Sequence, residues 1–324
     1  MQTKLLRTKT GVLLQLIFLL SFGTSSHAFS NQVFQTINTH FESIGLNRNF
    51  SEETIKAFQK KSQFLERHVS TTFKVPLPYF YFPANTKTNE SVLWVGGIHP
   101  DELAALNSSL ALGNLLNEKT SQFTFNKNVI FIPLVNIDGF LKGVKDRNYA
   151  LRENAILEDV NRSFYAFDEL SDFKSNNETE FIIALIKKYN PKYWVIPHSS
   201  IHILDFDGLY DSLAISWLTD IYEATTENGG EEIPIKKYRN FSPPNSKKNW
   251  SIGKLASHLG DIRSLTYEFP GPGDYPAPSD PNRNRIITLR KQLGRFENTA
   301  WLAEQYYHDY LPSLLTSLFI SNNL

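Results

Sequence analysis

The run "SVLWVGG" at residues 91–97, the segment "DELAALNSSLALGNLLNE" after it and the run "KNVIFIPLVN" at 127–136 restrict the fold more than anything else in the chain. Two compact apolar runs of strand length bracket a segment with Leu103, Leu106, Leu110 and Leu115 available for packing along a helix. Strand, helix, strand is the βαβ unit, and parallel strands joined this way lie in sheets covered on both faces. Further strand-length runs stand at "PLPYFYFPAN", "KYWVIP" and "SLTYEFP". The expected class is α/β, with a mixed, mostly parallel sheet and helices on both faces. At 41% hydrophobic residues, the 324-residue chain can fill such a core.

The first 28 residues read as an export signal. Lys4, Arg7 and Lys9 form a basic start, "GVLLQLIFLLSF" is apolar, and "SHA" ends at Ala28 as a small-residue cleavage site. That apolar run is short for a membrane span, so no stable span is expected after its removal, and the mature chain is expected to be periplasmic or secreted. An uncleaved anchor is the other reading of the same residues. Residues 29–75 are expected to be a short helical extension, from the spacing in "FSEETIKAFQKKSQFLERH". Residues 76–324 are expected to form one domain. Within it the polar region 139–180 reads as a long ordered loop at a functional edge. The helix "ETEFIIALIKKY" should stop near Asn190-Pro191, and one or two helices are expected between about 285 and 319.

Composition narrows the partners. Lys plus Arg and Asp plus Glu are both 33, and no basic tract follows the N-terminus, so no nucleic-acid partner is expected. A small or peptide-like ligand fits better; the sequence leaves oligomeric state open. The chain has no Cys. Disulfides and thiolate metal ligands are thereby excluded, and any metal must be held by His, Asp or Glu.

Chemistry gathers at the strand ends. His99 and Glu102 follow "VLWVGG", His198 follows "KYWVIP", and Glu268 lies in "SLTYEFP". In open α/β sheets ligands bind beyond the carboxyl ends of strands. Hydrolytic zinc sites commonly use two histidines and one carboxylate, a set that His99, Glu102 and His198 supply. The short spacing lets a strand end and the following helical turn aim both side chains at one point. Glu268 is then free to take a proton from an attacking water and pass it to a leaving amine. Between these points "RENAILEDVNRSF" offers Arg152 near a reacting carbonyl, Asn161 and Arg162 as a clamp for a carboxylate, and Asp159 as a hydrogen-bond acceptor that orients a metal-binding histidine. His202 follows His198 by four residues, but its surroundings read as strand and three ligands are already in hand. The sequence does not place His258 or Tyr210.

The ordered set "GGIHPDE", "NIDG", "REN…DVNRSF", "PHSSIHILDFDG" and "TYEFPGPGD" resembles the zinc carboxypeptidases of the carboxypeptidase A type, over roughly residues 76–300. The resemblance implies one zinc per chain held by His99, Glu102 and His198, with Glu268 as general base and acid. It also implies that Arg152 polarises the scissile carbonyl, that Asn161 and Arg162 hold the terminal carboxylate, and that Asp159 supports the first histidine. Ile137 stands where the family has proline, and Val160 where leucine is usual. "VIPHSSIHILDFDG" is most similar to the bacterial murein-peptide branch, which cuts between γ-D-glutamate and meso-diaminopimelate. There Asp205 and Asp207 would meet the amino group of diaminopimelate, or would form a solvent-facing or turn-capping acid pair. The alternatives are an N-acyl amino acid deacylase of the aspartoacylase and succinylglutamate desuccinylase type, which shares H-x-x-E, and a catalytically silent peptidoglycan-binding module.

Overall fold

The computed structural model describes residues 34–39, 42, 51–85, 87–118, 127–147, 151–165, 175–200, 203–227, 235–237 and 250–270. The proposed export signal, His202 and the expected C-terminal helices lie outside the described residues.

Among the described residues, eight strands form one sheet in the order β1-β2-β4-β3-β5-β8-β6-β7. They are β1 (Gln63–Val69), β2 (Pro76–Phe82), β3 (Ser91–Val95), β4 (Asn128–Ile132), β5 (Tyr193–Ser200), β6 (Ile203–Gly208), β7 (Ile235–Lys237) and β8 (Arg263–Pro270). The centre β4-β3-β5-β8 is parallel throughout. Antiparallel pairs β1/β2, β2/β4 and β6/β8 flank it. Every residue of β3 is buried, which requires cover on both faces of the sheet.

Among the described residues, the helices with full bounds are α1 (Glu52–Lys61), α2 (Leu103–Glu118), α3 (Ile137–Arg147), α4 (Asn177–Tyr189), α5 (Ser212–Glu227) and α6 (Ile252–Leu259). The strand–helix–strand expectation holds as β3-α2-β4, and α4 ends at Asn190, whose left-handed backbone caps it. None of the helices of the described residues is long and apolar enough to cross a membrane. The core includes Trp94 and Trp194, both without solvent exposure. Each indole N–H is satisfied, donating to Ser109 Oγ and to the Pro191 carbonyl at 3.0 Å, so burial leaves no unpaired donor.

Two stretches differ from the sequence reading. Gln63–Val69, inside the segment expected to be helical, is a strand because it finds a partner in β2. The polar region after 139 opens as helix α3, whose Ile137, Phe140, Leu141 and Val144 are buried at helical spacing.

The end of β3 is shaped by two glycines. A Cβ on Gly96 would lie 2.6 Å from the Pro133 carbonyl oxygen, and Gly97 has φ +61 with Leu134 packed against it. Only glycine lets the backbone turn this close to the β4 connection, and the turn delivers His99 to the sheet edge. Glu102 follows at the start of α2, its carbonyl accepting the Leu106 N–H at 3.0 Å.

Candidate metal and hydrolytic site

His99, Glu102 and His198 meet at the carboxyl edge of the sheet, the first two just past β3 and the third near the end of β5, each at most 8% exposed. Glu102 is shared: Oε1 accepts from His99 Nδ1 and Oε2 from His198 Nδ1, both at 2.9 Å. One ligand atom from each residue lies within 4.8 Å of the others.

Each ring also has a partner on its far side. His99 Nε2 donates to Asp159 Oδ1 at 3.0 Å, and the Asn161 amide nitrogen is 3.3 Å from His198 Nε2. Partners of this kind fix ring orientation in metal sites. Arg152 joins the group, donating to Glu102 Oε1 at 2.7 Å, with its other nitrogen 3.7 Å from Asp159 Oδ2.

The electrostatics follow from one buried acid between two rings. Burial opposes charge on both Glu102 and His99, but their partners outweigh it: His198 and then His99 hold Glu102 well below the usual carboxylate range, and Glu102, helped by Asp159, raises His99 to about 9. His198 moves the other way, lowered by burial. A neutral His198 donates from Nδ1 to Glu102 and accepts from Asn161 at Nε2. Asp159 is opposed by burial yet held down at about 2, first by its bond to His99 and then by the charges of His99 and Arg152. Two imidazole nitrogens and a buried carboxylate oxygen converging at this separation suit a divalent cation, and the two outer acceptor and amide groups are already in place. The residues fit a metal ion.

Glu268 pairs with His198 across β5 and β8. Its Oε2 is enclosed and has no hydrogen-bond partner among the described residues. Burial, then the charges of Glu102 and Asp205, push its carboxyl up to about 8. Asp205 lies on the other side of β8, opposite Thr266, and is 7% exposed. Alternation puts Asp207 on the same face, where it touches Gly253 of α6 and accepts from Ser257.

A 3-10 turn, Val160–Arg162, carries the remaining candidates. Arg162 is exposed and its guanidinium donates to the Asn161 carbonyl at 2.8 Å. The Asn161 side chain is committed inward: Oδ1 accepts the Ile252 N–H at 3.0 Å while the nitrogen faces His198. His258 packs against the ring of Trp250, and Tyr210 packs edge-on against Phe206. One contributor was not singled out from sequence. Asn136, fully buried in "NIDG", donates to the carbonyls of Ile98 and Arg152 at 3.2 and 3.1 Å and accepts from the Gly139 N–H, so it ties the two site segments together. Its signal was the turn itself, quoted above for the resemblance.

No protein-family model and no curated protein matches the chain. Solved structures do. A thrombin-activatable fibrinolysis inhibitor structure matches with TM-score 0.56 and 14% identity, covering 88% of this chain and 72% of that one. The carboxypeptidase A of Helicoverpa armigera matches with TM-score 0.52 and 14% identity over 87% and 73%. A metallo-carboxypeptidase from Burkholderia cenocepacia matches with TM-score 0.51 and 17% identity over 80% and 69%.

Proposed function

Starting from a chain that has the fold of the metallo-carboxypeptidases, we propose that it is an exported zinc-dependent carboxypeptidase that hydrolyses the γ-D-glutamyl–meso-diaminopimelate bond of murein tripeptide stems. The observation that carries the reading is the sharing of Glu102 between His99 and His198, with Glu268 in register beside His198 and its Oε2 unpartnered among the described residues.

His99, Glu102 and His198 would hold one zinc. Zinc, when bound, supplies the Lewis acidity that activates water and a peptide carbonyl. Glu268 takes a proton from the attacking water at Oε2 and returns it to the departing amine nitrogen, for which its enclosed oxygen is free. Arg152 stabilises negative charge developing on the carbonyl oxygen, since a guanidinium fixed beside the site needs no reorganisation. Arg162, exposed on the turn, receives the substrate's terminal carboxylate through paired donors. Asn161 acts from behind, keeping His198 and the start of α6 in place.

The murein assignment draws on the resemblance of "ILDFDG" and on the export signal. It also draws on Asp205, which pairs with Thr266 on β8 and whose charge acts on Glu268, and on Asp207, which lies farther along the same face opposite Ser264 and against α6. The positive amino group on the side chain of diaminopimelate would neutralise such a pair.

Mass spectrometry of tripeptide, tetrapeptide and pentapeptide muropeptides, incubated with zinc and then with a chelator, tests the proposal. Zinc-dependent loss of diaminopimelate from tripeptides is expected. Turnover of N-acyl amino acids without turnover of any stem would replace it by the deacylase reading. Binding of stems without cleavage, with zinc bound, would replace it by the silent one.

A further inference from the structure

The turn that carries Asp159, Asn161 and Arg162 is too short to hold itself. Its internal backbone bonds are Arg162 N–H to the Asp159 carbonyl at 2.9 Å and Ser163 N–H to the Val160 carbonyl at 3.3 Å. One such turn fixes several torsions for little return. Its shape is set from outside.

The outside support comes from the first turn of α4. Thr179 Oγ1 donates to the Val160 carbonyl at 3.2 Å. Asn176 works in two directions: its Oδ1 accepts the Thr179 N–H at 2.9 Å as the cap of α4, and its Nδ2 donates to Ser163 Oγ at 2.8 Å. Ser163 Oγ then donates to the Asp159 carbonyl at 3.0 Å. Thr179 is fully buried and Asn176 is 4% exposed, so water does not replace a bond removed here.

The far side of the turn faces the site. Asp159 Oδ1 accepts from the Asn161 N–H at 2.8 Å and from His99 Nε2 at 3.0 Å, and the Arg162 guanidinium leaves from the same three-residue turn. We infer that Asn176, Thr179 and Ser163 are positioning residues, a latch from α4 that sets the Asp159–Arg162 turn and thereby both the orientation of metal-binding His99 and the placing of the carboxylate clamp. The metal half of this inference stands on geometry alone; the clamp half rests on the function proposed above.

Two variants separate the latch from ordinary stability. Thr179→Val keeps shape and burial but loses the hydroxyl, while Asn176→Asp keeps the capping oxygen but loses the N–H that reaches Ser163. Ile183→Val, also on α4 and buried, is a control that removes no hydrogen bond to the turn. Zinc affinity is read by competition with a chromophoric chelator, and KM and kcat on peptides with a free terminal carboxylate. Loss of an outer partner of a metal ligand costs ten- to a hundred-fold in affinity, so misplacing one should cost about three- to ten-fold in both variants. In both variants KM should rise with little change in kcat, and Thr179→Ser should restore the affinity and KM.

Zinc affinity within about twofold of the unaltered protein in both variants, at a melting-temperature loss like that of Ile183→Val, overturns the inference. So does a protein that binds no zinc. A fall in zinc affinity in a protein that cleaves no peptide upholds the metal half and removes the proposed function with its clamp.

Discussion

Glu268 and His198 are direct neighbours across two parallel strands, β8 and β5, so the distance between the proposed proton carrier and the proposed metal ligand is fixed by sheet register rather than by a loop. Rigid placement of this kind is what proton transfer needs. Glu268→Gln keeps the shape of the side chain and removes its basicity. Turnover should fall by a factor on the order of a hundred or more while zinc stays bound. Full activity in that variant, measured with zinc content by atomic absorption, would remove Glu268 from the mechanism.

The metal cluster makes separate demands on its inner and outer members. His99→Ala should abolish stoichiometric zinc binding. Asp159→Asn retains the size of the outer partner but not its charge, and zinc affinity should weaken by about ten- to a hundred-fold. Equilibrium dialysis against zinc distinguishes the two, and equal affinities for Asp159→Asn and the unaltered protein would show that the Asp159 contact does not tune the site.

Arg162 points to solvent beside the cluster. Arg162→Ala should raise KM for peptides with a free terminal carboxylate and leave amidated peptides unaffected. An unchanged preference for the free acid would place the clamp elsewhere.

Asp207 gives a pH signature. Burial, then the neighbouring Asp205, push its carboxyl up to about 7 from an ordinary 3.8. The folded state therefore holds this proton more tightly than the unfolded chain does. Its contribution to stability is complete below the ordinary value and is lost as pH rises through about 7. Asp207→Asn removes the titration, so its melting temperature should gain on that of the unaltered protein between about pH 5 and about pH 8. A constant offset across that range would show that Asp207 titrates normally.

Gly96 tests the turn that delivers His99. Gly96→Ala brings a methyl against the carbonyls of Pro133 and Ile132, 2.6 and 2.9 Å from the new carbon. Overpacking against backbone should cost about 1–3 kcal/mol, read from the urea midpoint. A midpoint equal to that of the unaltered protein would mean that the β3 end relaxes freely.

Much of this was legible because the central strands are nearly pure apolar runs that stop at polar residues: "VLWV" before His99, "YWVIP" before His198, "LTY" before Glu268. Such runs announce both the parallel sheet and its functional edge. Strand β1 was hidden because "QFLERHV" has neither a clean alternation nor a Gly or Pro before it, and its identity comes from pairing with β2. Helix α3 was hidden by its polar residues, although Ile137, Phe140, Leu141 and Val144 carry the period. The inward commitment of Asn161 and the support from Thr179 depend on hydrogen bonds between segments far apart in sequence, for which no local pattern exists.

Strand β1 covers the otherwise open hydrogen-bonding side of β2, where Tyr79 and Phe80 are buried. A shortened chain that starts at Pro76 would bare a row of backbone N–H and C=O groups on a segment rich in aromatic residues, the kind of template on which identical chains add to one another. Strand β1, itself the edge of the sheet, thus puts Glu66, Arg67 and His68 where an aromatic-rich edge would stand, and a form trimmed to Pro76 should self-associate more readily.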